Sequence, residues 1–347
     1  MLFYNCNQSN NSNWEIIETE FLKHYQLSFD DIIILNSKEA LLFGSEDTRE
    51  NRQRMKEKQN LYHTGFAVIY KTKDGGKSWQ KKAFNKGGFW HTCRSGNTLF
   101  ATKTVNNGRL AEMTSVLYCS IDKGETWKKI NEFIGQAAFI ALDENINGYI
   151  GGLKSNKHQR NVGVYRIDKG EIKEQTNQII YPAKWCAESN EILYFNQRSL
   201  CVFETNSAQL NEYRLPVGFD GYFAERYEDE FWVIGREDEQ CCIYKVSEIG
   251  RFEKVYCFSS NEVRIFPKEL KVFGSEIVAV IGARKSASVD ITTFFSSDSG
   301  KSWQEENLLI SRYLNPVDFI LTNNNNNNNN RIFGMGYSGA GRIQVRR

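Results

Sequence analysis

The sequence predicts an all-β fold assembled from repeated four-stranded units. Aromatic residues make up 13% of the 347 residues (23 Phe, 16 Tyr and 7 Trp) against only four Pro, and this balance favours strands over long helices. A short motif containing an aspartate, a glycine and a tryptophan recurs along the chain, and self-similarity over roughly 40 to 50 residues indicates a repeat architecture. We therefore expect residues 1–347 to form one repeating all-β domain.

The recurring motif has the chemistry of a tight β-turn. Its three best copies are residues 72–79 (TKDGGKSW), 120–127 (SIDKGETW) and 296–303 (SSDSGKSW), and a weaker fourth, residues 166–172 (RIDKGEI), lacks the tryptophan. The aspartate accepts hydrogen bonds from turn amides, the glycine takes a positive φ, and the tryptophan starts the outgoing strand with a large apolar side chain. The residues assigned to these structural turns are Asp74, Gly76, Trp79, Asp122, Gly124, Trp127, Asp168, Gly170, Asp298, Gly300 and Trp303.

This motif resembles the Asp-box, or bacterial neuraminidase repeat, of sialidases, sortilin-type receptors, some glycoside hydrolases and photosystem II assembly factors. The resemblance implies a β-propeller in which each box is the turn between the third and fourth strands of a blade, with a structural role. It covers about eight residues per copy. It therefore implies an architecture and no particular activity.

The positions of these turns predict seven four-stranded blades. Fourth strands are expected to start near Trp14, Trp79, Trp127, Ile172, Leu210, Phe252 and Trp303. Most intervals between them suit the roughly 40 to 50 residues of one blade. Only three strand-like segments follow the last box, so residues 14–20 are expected to close the ring by pairing with the C-terminal strand at 341–346, which removes two exposed edges. Six blades, the usual number in sialidases, is the alternative.

Two segments lie outside the repeat pattern. Residues 323–330 are an uninterrupted Asn run, which cannot bury apolar surface and is expected to be a disordered loop. Residues 46–60 (EDTRENRQRMKEKQN) are polar and are expected to form a loop insertion between the second and third strands of the first blade. Neither segment interrupts a predicted strand.

The loops between second and third strands are the predicted binding surface. In a four-stranded blade these 2–3 loops share one face with the connections between blades, whereas the Asp-boxes lie on the opposite face. The same loops also carry acidic residues, which favours the interpretation that they are ordinary exposed loops. The alternative interpretation is a rim of basic residues that faces an anionic ligand or an acidic protein surface. The candidate binding residues are Arg49, Arg52, Arg54, Arg109, Lys157, Arg160, Arg198, Arg236 and Arg284.

Two classes of function fit this arrangement. The first is a non-catalytic binding protein, because variable loops on a rigid scaffold are a usual place for recognition. One form of such a binding protein is an immunity protein that neutralises a toxin. Another form is an assembly factor. The second is a sialidase-like glycoside hydrolase, for which Tyr337 is the candidate nucleophile. The Arg-Ile-Pro-type motif that sialidases carry early in the chain does not precede the first box, which favours the binding protein.

Composition and charge limit the other classes of function. The net charge of +2, from 44 basic and 42 acidic residues, predicts no bulk attraction to nucleic acid or an anionic membrane. No run reaches the roughly 18 apolar residues of a membrane span, and the first residues do not resemble a secretory signal. We expect a cytoplasmic location, or a secreted or periplasmic one if a signal peptide was removed. The expected partner is a protein with an acidic surface, with an anionic carbohydrate as the alternative, and no cofactor is expected.

The eight cysteines are expected to be reduced and structural. Cys119, Cys201 and Cys257 lie in apolar, strand-like runs, where free cysteine behaves as a small hydrophobe. Cys241 and Cys242 are adjacent, and no second pair offers the spacing of zinc ligands. The sequence therefore predicts neither a disulfide framework nor a metal site.

Overall fold

The described part of the chain is almost entirely strand. The computed structural model describes residues 14–17, 27–36, 38–46, 65–105, 113–156, 159–176, 183–186, 191–196, 198–205, 207, 209–259, 264–285, 288–306, 316–322, 331–336 and 343–346. These residues contain 28 strands and no helix. No helix long and apolar enough to cross a membrane is therefore found in them.

The strands are numbered in chain order. They are β1 (Trp14–Ile17), β2 (Leu27–Ile34), β3 (Ala40–Glu46), β4 (Phe66–Thr72), β5 (Gln80–Lys86), β6 (Gly88–Ser95), β7 (Thr98–Val105), β8 (Thr114–Ser120), β9 (Lys128–Ile134), β10 (Gln136–Leu142), β11 (Gly148–Asn156), β12 (Gln159–Asp168), β13 (Glu171–Thr176), β14 (Ala183–Cys186), β15 (Glu191–Phe195), β16 (Ser199–Glu204), β17 (Gln209–Arg214), β18 (Phe219–Tyr227), β19 (Glu230–Glu237), β20 (Gln240–Ser247), β21 (Phe252–Phe258), β22 (Arg264–Phe273), β23 (Glu276–Lys285), β24 (Ser288–Ser296), β25 (Gln304–Glu306), β26 (Pro316–Thr322), β27 (Arg331–Gly336) and β28 (Ile343–Arg346).

Within the described residues these strands form seven four-stranded antiparallel sheets. Sheets 1 to 6 each take four consecutive strands, from β2–β5 to β22–β25. Sheet 7 takes β26, β27 and β28, and its fourth strand is β1, in which Trp14 lies opposite Arg346 and Ile17 opposite Ile343. Each observed fourth strand starts within one residue of the position expected from the turn motif. Residues 18–20 of the expected closing strand, 47–60 of the expected insertion and 323–330 lie outside the described residues.

The hydrophobic core lies between consecutive sheets. Inner strands are apolar on both faces, as in β3, where Leu41, Leu42 and Phe43 are all fully buried. One cluster joins Phe43 of sheet 1 to Phe89 of sheet 2. Equivalent clusters join sheets 2 and 3, 3 and 4, 4 and 5, and 5 and 6. The first strand of each sheet lies beside the first strand of the next, and β26 of sheet 7 lies beside β2 of sheet 1.

A β-bulge interrupts the pairing of the first two strands in six of the described sheets. Each bulge lies in the first half of the first strand, towards the end where the second and third strands connect. Such a bulge redirects a side chain and increases the local twist. In sheets 1, 2, 3, 5 and 6 the extra residues are Asp30, Trp90, Ala138, Tyr222 and Lys268.

One pair of cysteines corrects the expectation of reduced thiols. Cys242 of β20 and Cys257 of β21 are joined in a disulfide, with their Cα atoms 4.1 Å apart. The two residues lie directly opposite each other in sheet 5, which brings their sulfurs within bonding reach. The expectation was wrong because the strand register decides which cysteines meet. Among the described residues, Cys93, Cys119, Cys201 and Cys241 are free and buried.

Candidate functional site

Residues 72–79, 120–127 and 296–303 form turns between third and fourth strands and are called the box turns below. These turns are closed by hydrogen bonds from their own side chains. In sheet 2 the Ser120 hydroxyl donates to Asp122 Oδ1 (2.8 Å) and accepts from the Gly124 amide (2.8 Å). The Asp122 carboxylate also accepts from the amide (2.9 Å) and hydroxyl (2.5 Å) of Thr126. Gly124 has a φ of 84°, a conformation that favours glycine. The hydroxyl and carboxylate groups of Ser120, Asp122 and Thr126 are therefore bonded within the turn, whereas Lys123 and Glu125 also accept hydrogen bonds from Lys71 of sheet 1.

The turns of sheets 1 and 6 repeat this pattern. In sheet 1 the Asp74 carboxylate accepts from the amide and hydroxyl of Ser78, and the hydroxyl of Ser302 donates to Asp298 in sheet 6 at 2.5 Å. The hydrogen bonds from Ser302 lower the pKa of Asp298 to about 2. These aspartates are ionised at neutral pH and already bound by donors.

Trp127 and Trp303 each connect a box turn to the preceding sheet. Each indole Nε1 donates to the carbonyl of the box glycine, at 3.1 Å from Trp127 to Gly124 and 3.0 Å from Trp303 to Gly300. The ring of Trp127 meets Phe43 of sheet 1 edge to face, with centroids 5.6 Å apart. Such aromatic pairs contribute to stability beyond the area they bury. The indole rings of Trp127 and Trp303 are therefore used in internal contacts.

The fourth copy of the motif forms a different turn. Arg166 stands where the other copies have a hydroxyl residue. The Gly170 amide instead donates to the main-chain carbonyl of Ile146 at 3.0 Å, and Asn131 of sheet 2 donates to the Gly170 carbonyl at 2.8 Å. The turn keeps the positive φ of Gly170, 83°, without the side-chain network.

Most of the predicted basic residues lie outside the described part of the chain. These are Arg49, Arg52, Arg54, Arg109 and Lys157, together with the alternative nucleophile Tyr337. Arg160 is described as a main-chain position in β12, opposite Ser155. Arg198, Arg236 and Arg284 lie at the connections between second and third strands of sheets 4, 5 and 6, as the repeat pattern predicts.

The three described arginines differ in their surroundings. Arg236 folds back on its own turn, where Nη2 donates to the carbonyl of Asp238 at 3.1 Å. Its side chain is only 14% exposed. Arg198 and Arg284 are exposed. These two are therefore accessible to a partner, whereas Arg236 stabilises the turn.

The structure adds Arg264 and Lys268 to the predicted set. Arg264 is the first residue of β22 and lies directly opposite Arg284 of β23. Lys268 is the bulge residue of the same strand, with Nζ 5.1 Å from the centroid of Phe266. Burial lowers the pKa of Lys268. The sequence pattern points only to the 2–3 loops, because the pairing of Arg264 with Arg284, 20 positions later, depends on the register of the hairpin.

Polar bridges connect neighbouring first strands just beyond the bulges. The amide and hydroxyl of Thr92 in β6 donate to Asp31 Oδ2 of β2, at 2.6 and 2.8 Å. In β22 the Lys271 ammonium lies 3.2 Å from Glu225 of β18 and 3.6 Å from Glu269 of its own strand. These largely buried charges compensate one another, so they hold adjacent sheets together. Ligand contacts are better sought at the bulges and the 2–3 connections.

One cluster of the described residues has the composition of a metal site. Glu237, Cys242 and Cys257 bring a carboxylate oxygen and two sulfurs within 4.8 Å of one another. The two sulfurs are bonded to each other, however, and thiolates are what a metal binds. The Glu237 carboxylate instead accepts from the Tyr244 hydroxyl at 2.8 Å and pairs with Lys254 at 2.6 Å. In its disulfide form this cluster is not suited to metal binding.

Comparison with known proteins identifies the fold class. No protein-family model matches the chain, and no curated protein matches it. Among solved structures, YCF48 from Cyanidioschyzon merolae matches with a TM-score of 0.61 and 14% identity, over 96% of this chain and 98% of that one. The β-propeller domain of the Trilobed protease from Pyrococcus furiosus matches with a TM-score of 0.57 and 9% identity, over 93% of both chains.

A third β-propeller, the domain of Cps50 (Swd1) from Myceliophteria thermophila, matches with a TM-score of 0.51 and 10% identity, over 96% of this chain and 98% of that one. Identities this low show a shared fold and no shared activity. The chain therefore has the β-propeller fold.

Proposed function

We propose that the seven sheets are the blades of one closed ring whose box turns belong to the Asp-box class. Two observations support closure: β26 lies beside β2, and β1 pairs with β28. The Pyrococcus furiosus domain has an open velcro topology, so closure by a shared blade is not universal among β-propellers. Pairing of the two terminal strands removes the edges that an open ring would expose.

We propose that this ring is a non-catalytic, cytoplasmic binding protein whose partner docks on the face of the 2–3 connections. The observation that carries the proposal is the contrast between the two faces. In the box turns the hydroxyl and carboxylate groups of the motif bond to one another, whereas Arg198 and Arg284 are exposed at the opposite end of the sheets. The partner is a protein with an acidic surface, because guanidinium groups form charge-assisted hydrogen bonds with carboxylates. A toxin neutralised by an immunity protein would be such a partner.

Capture from a lysate of the source organism tests this proposal. The immobilised protein is compared with the variant Arg49→Glu/Arg52→Glu/Arg54→Glu and with a control, Lys77→Glu/Lys123→Glu/Lys301→Glu, which reverses three exposed charges on the box turns. Docking on the 2–3 face predicts weaker capture by the first variant only, and capture that decreases with salt. Equal capture by all three proteins would reject the basic loop as a docking surface.

A fluorogenic sialoside distinguishes the alternative activity. The non-catalytic proposal predicts no turnover by the wild-type protein. Turnover that Tyr337→Phe abolishes would overturn it and would favour a sialidase-like hydrolase.

A further inference from the structure

We infer that Arg264 and Arg284 form a clamp for paired carboxylates of an acidic peptide segment. This inference rests on the proposed docking face and specifies one contact on it. The two arginines are direct partners in the β22–β23 hairpin, at the end of sheet 6 where the second and third strands connect. Direct antiparallel partners project from the same face of a sheet, with Cβ atoms about 5 Å apart.

The Arg264–Arg284 pair is expected to destabilise the folded protein when no ligand is bound. Like charges directly opposite each other destabilise a sheet, whereas opposite charges in the same positions stabilise it. Both side chains are exposed, and neither guanidinium is paired with a carboxylate of the residues that the structure describes. By contrast, Asp220 lies opposite Arg236 in sheet 5, and Arg166 lies opposite Glu174 in sheet 3. Two other like-charged pairs, Glu191–Glu204 and Asp168–Glu171, also lie directly opposite each other, but in each of them one carboxylate is paired with a cation, Arg226 or Lys173. A bound anion would give the Arg264–Arg284 pair the counter-charge that those pairs already have.

The surroundings of the pair suit a peptide rather than a bare ion. Ile265, between Arg264 and Phe266, belongs to the cluster shared with sheet 5, so its two neighbours project from the other face. On that face Phe266 covers Gly282, since a Cβ added to this glycine would meet the ring at 2.6 Å. Lys268 lies over the same ring. The two guanidinium groups are thus followed by an aromatic surface and a third cation.

This arrangement defines the chemistry of the ligand. Two adjacent Asp or Glu side chains would each meet one guanidinium fork, which binds a carboxylate through two parallel hydrogen bonds. The clamp therefore selects an acidic peptide segment.

Fluorescence anisotropy with a labelled hexaglutamate peptide tests the clamp. The variant Arg264→Gln/Arg284→Gln is compared with Arg166→Gln/Arg251→Gln, which removes the same charge from exposed positions near the box turns. The inference predicts about tenfold or greater loss of affinity in the first variant, and less than about twofold loss in the control. A labelled hexaglutamine peptide should not bind. Equal losses in the two variants, or no hexaglutamate binding by the wild type, would overturn the clamp.

Thermal melting gives a second, independent readout. Because the two charges repel, Arg264→Gln should raise the melting temperature at low salt. The gain should shrink in 0.5 M NaCl, about five times the ionic strength at which the Debye length is about 10 Å. Arg166→Gln, which removes a residue opposite a glutamate, should not raise it. A lower melting temperature for Arg264→Gln would contradict the repulsion on which the inference depends.

The two proposals fail in different ways. If hexaglutamate binding persists in Arg264→Gln/Arg284→Gln while capture from lysate still depends on residues 49–54, the docking face stands and the clamp is wrong. If the double variant does not fold, Arg264→Lys/Arg284→Lys keeps both charges and removes the planar forks. The clamp then predicts weaker hexaglutamate binding than wild type, and unchanged binding would reject it.

Discussion

The residues that hold each box turn act as a small network rather than as single contacts. In sheet 2 one serine hydroxyl bridges an aspartate and a glycine amide, and the same aspartate fixes the following threonine. Removing the carboxylate therefore leaves several donors without acceptors, and unmade hydrogen bonds cost more than the average bond contributes.

Asp122→Ala should lower the free energy of unfolding by about 1–3 kcal/mol, because the donors of the turn lose their acceptor. Asp168→Ala is the matched control, since the amide of Gly170 already bonds to a main-chain carbonyl. We expect its effect to stay within about 0.5 kcal/mol, as for an ordinary surface substitution. Urea unfolding of both variants measures the difference. Equal losses would show that the hydroxyl–carboxylate network has no special role.

His91 gives the stability of the protein a dependence on pH. Burial lowers its pKa to about 4, against 6.5 when unperturbed, and a hydrogen bond to the main chain of Ala137 only partly opposes this. The unfolded chain therefore binds a proton between these two values that the folded chain does not. Stability is fully present above pH 6.5 and falls as the pH decreases towards 4, by up to about 3 kcal/mol.

Urea unfolding at pH 7 and pH 4.5 measures this loss. His91→Gln removes the titrating group, so its stability should change less between the two pH values. The box aspartates do not interfere, because Asp74 and Asp298, with pKa values of about 2, lose their contribution only below about pH 4. An unchanged pH dependence in His91→Gln would contradict the assignment.

At the scale of elements, the disulfide cross-links the two strands of one hairpin. It joins β20 and β21 across a sequence separation of 15 residues. A loop of this length corresponds to a stabilisation of about 3 kcal/mol in the chain-entropy account. Reduction should therefore lower the melting temperature of the wild type. Exchange with the neighbouring Cys241 is not expected, because burial raises the pKa of its thiol to about 12 and leaves little reactive thiolate.

The melting temperature measured with and without dithiothreitol tests the contribution of the Cys242–Cys257 disulfide to stability. Cys242→Ala/Cys257→Ala should be insensitive to the reductant, whereas Cys241→Ala should keep the sensitivity of the wild type. If the double alanine variant and the wild type respond alike, the bond does not stabilise the fold.

The sequence was sufficient to predict where the fourth strands begin and insufficient to predict the residue-by-residue register in which strands pair. Tryptophans at 79, 127 and 303 and their weaker equivalents mark fourth strands, because the turn chemistry before them is local. Bulges such as that at Lys268 shift the register by one residue, and a one-residue shift changes every partner beyond it. The Arg264–Arg284 and Cys242–Cys257 pairs depend on that register, so they could not be predicted.

At the scale of the whole molecule, the proposed closure can be tested by a covalent link. Glu15 and Val345 are direct partners in the β1–β28 pair. In Glu15→Cys/Val345→Cys a disulfide should form and stabilise the fold by up to about 5 kcal/mol, because it closes a very long loop in the unfolded chain. Glu15→Cys/Gln344→Cys is the control, since consecutive residues project from opposite faces. Equal cross-linking of both, or of neither, would contradict the register.

The glycines of the recurring motif also contact residues that are synthesised before them. Gly124 of sheet 2 lies against Leu41 of sheet 1, Gly170 of sheet 3 against Ile130 of sheet 2, and Gly300 of sheet 6 against Val255 of sheet 5. In each case the contacting side chain belongs to a residue that precedes the turn in the chain. A ribosome releases the polypeptide from the amino terminus at about 5–20 residues per second. Each of these turns therefore emerges after its support has been made, so these parts of the ring can assemble in the order of translation.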